Sequence, residues 1–270
     1  LERELGMQLL ERSVSGVEPT AAGQTLYRHA LDLIRQADGT ENLLRQDAEF
    51  PQGKVSVGMP SSTARILAIP LARTVGERYP GIVLELIDAP SADIRQLISG
   101  RRVELAVVAD HVEMHGVASQ RLLNEVLYLI ANAEYPIAEH SVSLGDLAAM
   151  PLVLPSPPNV IRKRIDWALR EAGLSSDIRF EASSTALLVA AVVANLGVTI
   201  LPWTAVHVEL ESHQVKVARV EHRLFARDLS LCWHDTQLQS NAVQKVKSTM
   251  VELFDILGQR PEWVGQSTAS

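Results

Sequence analysis

The feature that most constrains this chain is the order of its apolar runs after residue 53. Val55-Ser56-Val57-Gly58-Met59 alternates like a strand, Pro60 stops it, and Ser61-Ser62-Thr63-Ala64 opens an apolar helix with hydroxyl residues suited to a helix start. Ile66, Leu67, Leu71, Val75 and Tyr79 give that helix a buried face, and Pro70 is expected to kink it. Pro80-Gly81 breaks the chain and Ile82 to Ile87 reads as a second strand. Ser91 caps a second helix that Gly100 ends, and Leu105 to Ala109 is a third apolar run. Strand, helix, strand, helix, strand needs crossovers, so parallel pairing is predicted.

A second unit follows. A strand from Val126 to Ala131 leads through Tyr135-Pro136 to strand Leu152–Leu154, then helix Val160–Ala172 stopped by Gly173. Strand Ile178–Glu181, helix Thr185–Asn195 and strand Val198–Leu201 complete it, and strand Leu229–Trp233 with helix Asn241–Leu257 is expected to rejoin the first unit. The fold class is therefore α/β and two-lobed, with a cleft at the carboxyl ends of the strands. The boundaries predicted are 53–131 and 234–258 for lobe I, 132–233 for lobe II, and a flexible tail over 259–270, which is rich in small and polar residues after Pro261.

Composition narrows the function. With 270 residues and 47% apolar content, one large or two ordinary domains can fill their cores. A formal charge of −7 gives no electrostatic support for nucleic-acid binding by the whole chain, so any DNA contact must be local. The one cysteine, Cys232, sits in an apolar run and excludes a disulfide framework within the chain. No apolar run approaches the ~20 residues that span a bilayer, so no membrane partner and a cytoplasmic location are expected. Gly-x-Ser-x-Gly, Gly-rich phosphate-loop and Cys-x-x-Cys signatures are missing, so no catalytic residue is nominated. His111 and His115 are four apart, but Glu113 is misplaced for a metalloprotease and no third ligand is evident; no metal and no cofactor are predicted.

Ahead of the body, Glu2 to Leu10 reads as a short amphipathic piece, and Thr20-Ala21-Ala22-Gly23 opens a longer helix over 20–52. Leu26, Ala30, Leu33, Ala37, Thr40 and Leu44 form a heptad-like seam along it, weakened by small residues, so it needs the body's help to dimerise. Residues 1–52 carry nine acidic and five basic side chains, a poor DNA-binding surface.

Leu1 to Arg12 followed by Pro19-Thr20-Ala21-Ala22-Gly23 resembles the end of the winged helix-turn-helix domain of LysR-type transcriptional regulators. The body resembles their effector-binding region through Tyr79-Pro80-Gly81-Ile82, Ser99 to Ala106, Pro151 to Pro155 and Val192 to Pro202. Gly58 to Arg65 and Leu152 to Ser156 look like the subgroup containing nitrogen-assimilation regulators. The resemblance implies a periplasmic-binding-protein-like effector domain, preceded by the remnant of a winged helix-turn-helix (1–19) and a long linker helix (20–52). It also implies a wing around Ser13 to Gly16, with Arg12 as a phosphate contact, and homodimers or homotetramers. In the family, a recognition helix precedes the point where this match begins. DNA would therefore be a partner through the full-length winged helix-turn-helix domain, and the chain as given is expected not to recognise an operator.

Ser-Ser-Thr-Ala occurs twice, at Ser61–Ala64 and Ser183–Ala186, each time leaving a strand and entering an apolar helix. Two ordinary helix caps would look the same. By the resemblance, members hold a small effector between the lobes. Carried over by position, this selects Ser61, Ser62, Thr63, Ser184 and Thr185, with Ser91 and Asp110 at neighbouring strand ends. Hydroxyls and helix starts favour a carboxylate or similar polar molecule as effector. The competing readings are a solute-binding protein with the same two-lobed cleft, and an enzyme such as a transferase.

Overall fold

A computed structural model describes residues 1–13, 16–27, 29–30, 33–34, 51–110, 113–137, 141–235, 239–260 and 263. α1 (Glu2–Leu5) is one turn, ended by Gly6 in the left-handed conformation at φ 66°. The predicted amphipathic piece is thus helical only in its first half. Glu2 Oε1 ties down the rest by accepting from the Leu9 and Leu10 N–H groups at 2.6 and 3.0 Å. β1 (Leu10–Ser13) and β2 (Gly16–Pro19) form an antiparallel hairpin with Leu10 opposite Pro19, where the resemblance implies a wing. α2 is helical over residues 21–27, 29–30 and 33–34. Thr20 caps it, its Oγ1 accepting from Gly23 N–H at 3.0 Å. Glycine is required at 23, since a Cβ there would lie 2.0 Å from the Leu9 carbonyl oxygen. Of the heptad seam, Ala37, Thr40 and Leu44 lie outside the described residues.

The body begins with β3 (Gly53–Pro60), α3 (Ser61–Arg78), β4 (Ile82–Ala89), α4 (Ser91–Ser99), β5 (Leu105–Ala109) and β6 (Val117–Asn132). It continues through β7 (Ser141–Val142), α5 (Leu144–Ala148), β8 (Pro151–Pro155), α6 (Val160–Glu171), β9 (Asp177–Ala182), α7 (Thr185–Val193) and β10 (Thr199–Pro202). A 3-10 turn (Trp203–Ala205), α8 (His207–Glu211), β11 (Val215–Val220), β12 (Ala226–His234) and α9 (Asn241–Leu257) complete it.

The expected parallel pairing holds for β3, which lies between β4 and β5, and for β8 with β9. Antiparallel strands extend both lobes: β12 pairs with β5 and with the first part of β6, while β10 and β11 pair with the last part of β6. The sheets are therefore mixed. Ile66, Leu67, Leu71 and Val75 of α3 are buried as predicted, each contributing about 1.5–3 kcal/mol on full burial, while Tyr79, at the C-cap, is only partly buried. Pro70 sits inside α3 without ending it. Asn195 turns the chain at φ 58°, a conformation asparagine tolerates. Gly197 lets it pass the neighbouring strand, because a Cβ there would meet the Pro151 carbonyl oxygen at 2.4 Å.

Two predicted boundaries move. β6 is one strand of 16 residues that starts in lobe I and ends in lobe II; its partner changes from β12 to β10 between Val126 and Leu127. The chain thus leaves lobe I inside β6 rather than after residue 131. It returns at Ala226 rather than at 234, because all of β12 is hydrogen-bonded to lobe I strands. The predicted tail also needs correcting at one residue, since Trp263 is fully buried; residues 261–262 and 264–270 lie outside the described residues.

Candidate functional site

Four helix starts meet at the junction of the lobes. β3 delivers Pro60, the N-cap of α3, and β4 delivers Pro90, the N-cap of α4. From lobe II, Asn159 caps α6 with its side chain accepting from Ile161 N–H at 2.8 Å, and Ser184 stands at the N-cap position of α7. No side chain caps α3, α4 or α7, so their first N–H groups have no side-chain acceptor from the N-cap residue. Each N-terminus carries about half a positive charge.

The cleft between these starts is walled by Ser61, Ser62 and Ser91 on one side and by Asn159, Ser183 and Thr185 on the other. Its floor includes Arg227, the only charged side chain lining it among the described residues. The space between these walls is narrow. The lobes therefore sit close together. Two ion pairs bridge them beside the cleft: Arg65 Nη2 lies 2.7 Å from Glu209 Oε1, and Arg164 Nη2 lies 2.7 Å from Asp110 Oδ1.

Of the residues predicted from the sequence, Ser61, Ser62, Ser91 and Thr185 are brought together in the cleft wall. Thr63, Ser184 and Asp110 are not among its lining residues. Thr63 is fully buried at the foot of α3, because the third residue of that helix turns inward with Ile66 and Leu67. Ser184 is exposed beside the cleft. Asp110, in the left-handed region at φ 50°, turns its carboxylate onto Arg164, with Oδ2 also accepting from Arg164 Nε at 3.1 Å. Arg12 has its backbone on β1 opposite Val17; its side chain lies outside the described residues, as does His111.

Sequence reasoning missed Arg227 and what holds it. Arg227 on β12 sits opposite Glu125 on β6, and the two side chains are 3% and 0% exposed. Arg227 Nε donates to Glu125 Oε2 at 2.7 Å, and its Nη2 donates to Ser62 Oγ at 3.0 Å. Glu125 Oε1 accepts from Thr204 Oγ1 at 3.0 Å and from Trp263 Nε1 at 2.8 Å. A buried carboxylate is tolerable here because every side of it is hydrogen-bonded. The signal was the lone acid in Leu122-Leu123-Asn124-Glu125-Val126-Leu127-Tyr128, which reads as a strand boundary when it is in fact the middle of one strand.

Nearby charges are settled by partners. Burial works against the Arg162 guanidinium, but hydrogen bonds to Glu181 and Asp166 outweigh it and raise its pKa. Asp228, next to Arg227, is held below the usual carboxylate range by hydrogen bonds from Asn124 and then Arg121. The Cys232 thiol is pushed up to about 12 by burial, so it carries almost no thiolate at neutral pH. No group of three or more His, Cys, Asp or Glu side chains suited to a metal occurs among the described residues.

Comparison with known proteins gives this geometry a context. A family profile described as LysR substrate binding domain matches residues 48–255. The nitrogen assimilation regulatory protein nac of Escherichia coli is 35% identical over 206 residues, covering 76% of this chain and 67% of that protein. In structure, a cysteine-to-aspartate variant of full-length OxyR from Pseudomonas aeruginosa is similar with a TM-score of 0.74 at 20% identity, over 94% of this chain and 82% of that one. The Synechocystis CcmR regulatory domain in complex with 2-PG is similar with a TM-score of 0.68 at 16% identity, over 75% of this chain and 98% of that one. On the profile match and the identity to nac, the chain belongs to the LysR family of transcriptional regulators and carries the effector-binding domain of that family.

Proposed function

We propose that the cleft holds a small anionic effector, with its negative group directed at Arg227 and the starts of α3, α4, α6 and α7. The observation that carries this reading is the buried Arg227 guanidinium in the floor of a cleft otherwise lined by hydroxyl, amide and apolar groups. A guanidinium and helix N-termini both select negative charge. A neighbour of the same fold, the CcmR regulatory domain, was solved in complex with 2-PG, which agrees with a small ligand in such a domain. Ser61, Ser62, Ser91, Thr185 and Asn159 supply hydrogen bonds that select among anions. Thr63, Ser184 and Asp110 act outside the ligand shell.

Effector binding works on transcription only through different affinity for two arrangements of the protein. The arrangements follow from the lobes, which the Arg65–Glu209 and Asp110–Arg164 pairs hold together across the cleft. The protein acts as a homodimer or homotetramer through the linker helix, as a regulator and not as an enzyme. The β1–β2 hairpin is the wing of a DNA-binding module, and Arg12 contacts a phosphate there.

Heat denaturation with and without sulfate and a set of small carboxylates tests the cleft, since a ligand raises the melting temperature by mass action. Wild-type protein is expected to be stabilised by anions, and Arg227→Gln to lose that response while Ser184→Ala keeps it. Stabilisation by neutral compounds alone, or an unchanged anion response in Arg227→Gln, would overturn the reading.

A further inference from the structure

We propose that Trp263 and Glu125 are positioning residues for Arg227, so that the C-terminal segment is a working part of the sensing site and not an appendage. The inference rests on the reading of the cleft as an anion site.

The geometry is a relay of three side chains at the point where β6 crosses between the lobes. Glu125 lies where β6 passes from one lobe to the other, one residue before the change of partner strand. Its two oxygens face opposite ways. Oε2 meets Arg227, whose guanidinium reaches Ser62 and the cleft, while Oε1 meets the Thr204 hydroxyl and the Trp263 indole. Trp263 is fully buried, packs against Phe254 of α9 at a ring separation of 5.5 Å, and reaches this point after Arg260 has passed over the Trp203 ring at 5.8 Å. Trp203 and Thr204 belong to the 3-10 turn that follows β10 in lobe II. The C-terminal segment thus touches lobe I through α9, lobe II through the turn, and the cleft through Glu125.

Chemistry gives the relay a direction. Neutral donors on Oε1 draw the carboxylate's charge towards that oxygen, which leaves Oε2 a weaker partner and the guanidinium freer to meet an outside anion. Withdrawing the indole N–H returns charge to Oε2 and tightens its hold on Arg227. Neutralising Glu125 releases Arg227 altogether. An anion that binds Arg227 competes with Glu125, and the change is felt at Trp263.

The test uses the full chain, with inorganic sulfate as the anion and phenylglyoxal modification of Arg227, mapped by mass spectrometry, as a readout that needs no ligand. Trp263→Phe keeps the ring and removes the donor; it is expected to weaken sulfate binding threefold or more and to slow modification of Arg227 by a similar factor. Thr204→Val removes the other donor to the same oxygen and should act in the same direction. Glu125→Gln should act oppositely on both readouts. In the Glu125→Gln background, Trp263→Phe should have no further effect, because its route is gone. Equal effects of Trp263→Phe with and without the Glu125 carboxylate, or unchanged Arg227 modification in both Trp263→Phe and Thr204→Val, would overturn the proposal. A failure of the cleft reading shows differently: sulfate would stabilise Arg227→Gln as well as wild type, or not stabilise wild type at all, while the modification rates still decide the relay.

Discussion

Asp110→Asn isolates one of the two ion pairs that bridge the lobes. The substitution keeps the volume and suits the left-handed backbone at φ 50°, since asparagine tolerates that region as aspartate does. It removes the charge that meets Arg164 at 2.7 and 3.1 Å and turns one of the two accepting oxygens into a donor. At those separations the attraction is roughly 5–6 kcal/mol for an effective dielectric constant of ~20. Desolvation and side-chain ordering offset most of it. Arg164 and Asp110 are 23% and 25% exposed, and the contact is two-pronged, so about 1–2 kcal/mol should remain as net coupling. A cycle of Asp110→Asn, Arg164→Gln and the double variant, followed by urea unfolding, reads that coupling directly. The single variant should melt about 3–6 °C below wild type, and raising salt from 0.1 to 0.5 M should remove only part of the difference. Sulfate binding should change less than twofold, because Asp110 is spent on Arg164 rather than on a ligand. Coupling below about 0.3 kcal/mol, or a large loss of sulfate binding, would refute the assignment of Asp110 to the lobe contact.

Three further outcomes follow from groups described above. Thr63→Val should stabilise the protein by about 0.5–1.5 kcal/mol with anion binding unchanged, because Thr63 Oγ1 is buried with no hydrogen-bond partner among the described residues; lost anion binding would return Thr63 to the ligand shell. Asp228 is held below the ordinary carboxylate value, so its contribution is present above about pH 4 and disappears as pH falls through the depressed folded value. Acid titration of Asp228→Asn should accordingly give a flatter stability curve below pH 4 than wild type. The Cys232 thiol, buried and raised to about 12, should react with a disulfide reagent far more slowly than an exposed thiol, and unfolding in urea should restore the ordinary rate.

Much of the body was legible because its signals are local. Pro60 ends a strand and begins a helix, Ser91 opens the next helix, Gly173 follows the end of α6, and the apolar face of α3 repeats at helical spacing. β11 was not read, because Val215-Lys216-Val217-Ala218-Arg219-Val220 is short and interrupted by charge, and only its place beside β6 makes it a strand. The hydroxyls of the cleft were found through their position after strands. Arg227 and Glu125 were not, since neither belongs to a local motif and the meaning of each lies in a partner 102 residues away. Trp263 was hidden by its neighbours. A single indole in a polar tail carries no period, and only a three-dimensional hole for it distinguishes an anchor from a dangling end.

The sixteen residues of β6 span about 50 Å at ~3.3 Å per residue. This strand has no bare stretch where it crosses between lobes: Glu125 and Val126 are laddered to β12, Leu127 N–H donates to the Phe225 carbonyl oxygen at 2.9 Å, and Leu127 faces Pro202 of β10. A joint built this way resists folding like a door and yields instead to torsion, spread over many peptide units at small cost each. Any rotation of one lobe against the other is delivered at the ends of this long strand. Sensitivity in such a device comes from leverage, and a narrow cleft does not need to move far to be heard.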